Sequence, residues 1–137
     1  PHGVDLVAAT VVSGSHPDHA WPFGDKAADF VARASADAAD HARSTLSLDV
    51  PVIDSLDAHT LIEQAGHSGA DWILTPDTPV GPLGDGMAAL AAELDDAGLP
   101  LHRFRRDWDS AAWPFATKGF FPFKKHIPEL LERAELT

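Results

Sequence analysis

The sequence predicts a three-layer α/β fold, a mainly parallel sheet of four or five strands with helices on both faces. Three observations carry that expectation. Short apolar, β-branched runs alternate with longer segments of helical period through residue 105. The first run, Val4–Val12, is almost unbroken in apolar residues, the pattern of a strand covered on both faces. Each helical segment also opens on a capping residue, and the later ones close on a glycine. At 137 residues the chain is long enough to bury a single core.

The elements follow in order. After Val4–Val12 comes a loop of Ser, Gly, His and Pro, from Ser13 to Gly24. Asp25 caps a long helix to about Leu46, whose expected inner stripe is Ala27, Phe30, Val31, Ala34, Ala38 and Ala42. Val50–Asp54 is a short strand. Ser55 or Asp57 caps the next helix, with Ala58, Leu61, Ile62 and Ala65 facing inward and Gly66 or Gly69 ending it. Asp71–Thr75 is the third strand, and the proline- and glycine-rich loop Pro76–Gly84 follows it. A helix then places Met87, Leu90, Ala91 and Leu94 in the core and stops at Gly98. Pro100–Arg105 is the fourth strand. A last short helix is expected from Ile127 or Pro128 to about Ala134. The chain therefore divides into an α/β region, 1–106, and a C-terminal extension, 107–137.

Charge separates the same two regions. The net charge is −11, which disfavours a phosphate backbone as partner for the chain alone. Sixteen of the 21 acidic residues precede residue 100, whereas seven of the ten basic ones follow it. Five of the seven phenylalanines lie in that basic segment too. Phe120, Phe121 and Phe123, rimmed by Lys118, Lys124 and Lys125, are expected to pack on this chain or on a partner. No apolar run approaches the roughly 18 residues of a membrane span, and a cytoplasmic location is expected. The absence of cysteine removes disulfides, thiolate metal sites and thiol nucleophiles. An opening on Pro1 fits a processed piece of a longer chain.

In open parallel sheets, ligands sit beyond the carboxyl ends of the strands. The loops after the first and third strands supply the candidate cofactor contacts: Ser13, Gly14, Ser15 and His16 on one side, Thr75, Asp77, Thr78 and Gly81 on the other. Helix N-termini beyond each loop would offer backbone donors to an anion. Neither loop carries a phosphate-binding fingerprint, and a stiff structural loop is the competing reading. His16-Pro17-Asp18-His19 has the donor types of a zinc or nickel site but lacks a partner set, so no metal is assigned. No nucleophile elbow or other catalytic constellation is present, and no catalytic residue is assigned.

The run Trp113-Pro114, Ala116-Thr117 and Gly119-Phe120-Phe121, and the longer stretch Thr117-Lys118-Gly119-Phe120-Phe121-Pro122-Phe123, are similar to the aromatic segment with which photolyase and cryptochrome family members leave their α/β domain. The order of elements from about Gly24 to Phe123 resembles that domain, and the C-terminal run looks most like flavin-binding photolyase-related bacterial proteins. The family's Phe-Arg-Arg-Asp-x-Arg signature is missing from the front. A partial echo, Phe104-Arg105-Arg106-Asp107-Trp108-Asp109, stands near the end and lacks the last arginine. The resemblance implies an antenna-type α/β domain that supports a helical FAD-binding domain, which is not in this chain. FAD would be held there, and an antenna chromophore is the ligand implied for the α/β domain. Trp108 and Trp113 take no electron-transfer role without that helical domain. A self-sufficient nucleotide-binding or signalling domain of Rossmann-like, flavodoxin-like type, or a ligand-free interaction subunit, are the alternatives.

Overall fold

A computed structural model describes residues 4–13, 24–54, 56–78 and 80–135. It has mixed α/β architecture in which helix predominates. The order is β1 (Val11–Val12), α1 (Asp25–Leu46), β2 (Val52–Ile53), α2 (Ala58–Ser68), β3 (Ile73–Pro76), α3 (Pro82–Asp96) and β4 (Leu101–Phe104). Then come α4 (Asp107–Ala112), a 3₁₀ turn (Trp113–Lys118), α5 (Phe120–Phe123), a second 3₁₀ turn (Lys124–His126) and α6 (Ile127–Arg133).

The strands pair two by two. β1 and β2 run parallel, with Val11 opposite Val52 and Val12 opposite Ile53. β3 pairs with β4, where Ile73 donates to the Pro100 carbonyl and Asp77 to that of Phe104. The constant offset between these partners is the signature of parallel strands. Each of the four strands is shorter than the span expected for it. Along the expected first strand only Val11 and Val12 join a ladder, and Leu6 and Val7 are 44% and 50% exposed instead of covered. A run of β-branched residues favours extended backbone but does not supply a neighbour to bond.

The chain divides into two compact units. The first takes residues 1–74 and 78–102, and the second takes Thr75–Asp77 together with Arg103–Thr137. The core of the first unit lies between α2 and α3, where Ala58, Leu61 and Ala65 meet Met87, Leu90 and Leu94, with Leu99 closing the cluster. These are the stripes expected from helical spacing, apart from Ile62, which is 37% exposed, and Ala91, which is only partly buried. Asp57 caps α2, its carboxylate accepting from the Thr60 amide at 2.8 Å. Gly69, with φ of 70°, ends it in the left-handed conformation that glycine adopts without a Cβ clash.

α1 matches its expected span but is turned from its expected face. Ser35 and Ala39 are buried with Val31 and Ala42 partly covered, and the helix packs on β1 and β2. Ala27, Phe30, Ala34 and Ala38 are exposed. Alanine supplies so little burial energy that its spacing fixes a helix's rotation only weakly. Arg43 then ties the helix end to the approach of β2 through the Val50 carbonyl.

Candidate functional site

The second unit holds a polar arrangement built around one carboxylate. Its starting point is Asp77, immediately after β3. Arg105 donates to the Asp77 carboxylate through Nε at 3.0 Å and also through a terminal nitrogen, and Arg103 stands 3.9 Å from its other oxygen. Arg103 in β4 and Arg105 just beyond its end can converge because residues two apart along extended backbone share a face. The Asp77 side chain is only 20% exposed, so these charges meet in partly screened surroundings. The Arg105 guanidinium also lies over the Trp113 ring, 4.6 Å from its centroid, a cation–π contact. One carboxylate thus joins the loop after β3 to β4, and one arginine carries the link on to the 3₁₀ turn.

A second pair continues the pattern. Arg106 grips Asp109 through two bonds, at 2.6 and 3.0 Å, across the first turn of α4. The hydrogen bond and charge of Asp109 raise the Arg106 pKa further, so that guanidinium stays charged throughout the accessible range. Both pairs tie neighbouring stretches of backbone together.

The aromatic segment has one covered side and one open side. Ala112 and Leu130 are the buried ones among the described residues of this unit, and Phe115 stacks on His126 at 4.0 Å with the rings 19° apart. Phe123 is half-buried. Phe120 and Phe121, meeting edge to face at 5.8 Å, are 62% and 73% exposed. Lys124 reaches over the Phe121 ring at 5.4 Å, while Lys118 and Lys125 are exposed. The expected contact residues therefore separate: Phe115 and Phe123 pack within the unit, and Phe120 and Phe121 do not.

Gly119 sets up that exposure. Its φ of 82° and ψ of −177° lie in a region essentially restricted to glycine, and the turn there starts α5 with Phe120. Space is not the constraint, since nothing lies within 4 Å of a Cβ built at Gly119. Gly119→Ala should therefore lower stability by about 1–3 kcal/mol through backbone strain alone. Equilibrium denaturation reads this, and an unchanged midpoint would mean that the turn relaxes without needing glycine.

The sequence-based cofactor contacts are distributed as follows. Ser13 lies at the end of β1 in the first unit, where its amide and hydroxyl both donate to the Ile53 carbonyl, at 2.8 and 3.2 Å. Thr78 and Gly81 also belong to the first unit, and Thr75 and Asp77 to the second. Asp77 is engaged by arginines, Thr75 makes only a 3.5 Å contact to the next carbonyl, and the buried Thr78 hydroxyl has no partner. Gly14, Ser15 and His16 lie outside the described residues, as does the rest of the His16–His19 cluster. No group of three or more metal-ligating side chains occurs among the described residues. No described helix is long and apolar enough to cross a membrane.

Sequence reasoning missed the roles of Arg103, Arg105 and Trp113 around Asp77. Two arginines alternating on one strand, with an acid after its neighbour, was the available signal. Comparison of the chain with family models, curated proteins and solved structures finds no match.

Proposed function

We propose that this chain is the α/β domain of a photolyase- or cryptochrome-like flavoprotein and that its second unit docks on a helical FAD-binding domain. The observation that supports this reading is the open pair Phe120 and Phe121, within the very segment Thr117–Phe123 that carries the family resemblance. Two adjacent phenylalanines more than half exposed, beside Lys118, Lys124 and Lys125, have the anatomy of a contact: an apolar centre with a charged rim. Asp77, Arg103 and Arg105 act as positioning residues that hold the base of this unit.

In this reading the two strand pairs belong to one parallel sheet with helices on both faces, and the flavin contacts come from the partner domain. FAD supplies the light absorption and electron transfer when bound there. This chain contributes the docking surface, and an antenna chromophore is the ligand proposed for its α/β region. The absorption spectrum of the native protein, isolated together with the helical domain proposed to dock on it, tests the proposal. Flavin or pterin bands are expected, and a nucleotide band or bare protein absorption would overturn it in favour of a nucleotide-binding or ligand-free module.

A further inference from the structure

We infer that α1 is a self-association surface, pairing antiparallel with α1 of a second copy of this chain. The inference rests on the first unit alone and is independent of the proposed flavin partner. The helix has 22 residues, about 33 Å at 1.5 Å per residue, yet only Ser35 and Ala39 are buried. Its apolar arc is wider than what β1 and β2 cover. Ala27, Phe30, Ala34 and Ala38 recur at i, i+3, i+7 and i+11 on one side, all exposed, and Phe30 is 69% exposed.

Charge and shape together select the occupant. Arg33 and Asp37 line one flank of this arc, four residues apart, both exposed. In an antiparallel pair, flanks of the same side meet. The register that centres the two helices near Ala34 sets Arg33 of each copy against Asp37 of the other, giving two symmetry-related ion pairs. The same register places Phe30 against the other copy between Ala38 and His41, where the alanine leaves room for a ring. In a parallel pair flanks of opposite side would meet, which sets Arg33 and Asp37 of each copy against the Val31 and Ser35 side that packs on β1 and β2 and carries no charge to receive them. Arg33 now pairs with Asp29 on its own helix, but both are well exposed, so that pair resists exchange weakly. One helix face is less than a standard interface, which places this dimer among the weak, reversible ones.

The chain has no cysteine, so a single introduced thiol gives a clean readout. In the inferred register Ala34 lies about 3 Å along the axis from its counterpart, whereas Ala27 lies about 24 Å from its own. Under mild oxidation the full chain carrying Ala34→Cys should form a disulfide-linked dimer, and Ala27→Cys should link at least about tenfold less. Failure of the Ala34→Cys variant to link, or equal linking by both, overturns the inference. Sedimentation equilibrium adds an independent reading. Arg33→Asp or Asp37→Arg alone should weaken the dimer about tenfold, and the double exchange should restore it. A chain that stays monomeric to about 1 mM, or a dimer indifferent to these exchanges, is the contrary result.

Discussion

Leu94→Ala should destabilise the first unit by about 2–5 kcal/mol, a large share of the 5–15 kcal/mol that holds a typical domain together. Leu94 is fully buried and sits in the cluster that joins α3 to α2. The substitution removes its methyl groups and leaves a cavity that Leu61, Met87 and Leu90 cannot close without moving the helices. Neighbouring Ala91 is only partly buried, and Ala91→Gly there would act mainly through helix propensity, at about 1 kcal/mol. Chemical denaturation of the two variants side by side separates packing loss from backbone effects. Near-equal midpoints would show that the α2–α3 contact contributes little to stability.

Replacing Phe120 and Phe121 together by serine should have the opposite profile. Both rings are more than half exposed, so their removal takes little from the folded unit, and thermal unfolding should shift by no more than a degree or two. Association with the proposed flavin-binding partner should fall by two orders of magnitude or more. Paired aromatics at the centre of a contact commonly contribute 2 kcal/mol or more each. Lys118, at the rim, should have a smaller effect when changed to alanine, seen chiefly in the salt dependence of association. A double variant that unfolds early would show that these rings stabilise the chain itself.

Much of the fold was legible because periodicity and punctuation act locally. Asp57 and Gly69 bound α2 at the ends their capping chemistry implies, and the Met87, Leu90 and Leu94 stripe is buried as its spacing requires. Sheet pairing was less legible. Val4–Val12 reads as a covered strand, but which backbone bonds it depends on residues far along the chain, and only Val11 and Val12 find a parallel partner. The rotation of α1 was also hidden, since a helix with alanines on several faces carries a weak directional signal. At the candidate site, the aromatic segment stood out by composition, but its division into covered Phe115 and Phe123 and open Phe120 and Phe121 depends on the glycine turn at Gly119. The Arg103–Asp77–Arg105 grouping joins residues 26 and 28 positions apart, beyond the reach of local pattern.

Light absorption by the native protein, recorded in parallel for the wild type and the Phe120→Ser/Phe121→Ser variant, tests the central claim most directly. On the proposed reading the wild type, isolated with its partner, should carry a flavin spectrum, and the variant should lose that band while keeping its fold, because the flavin would travel with the domain that these two rings are proposed to hold. A wild-type protein without flavin or pterin absorption, or a flavin band undiminished in the folded variant, would contradict a docking role for Phe120 and Phe121.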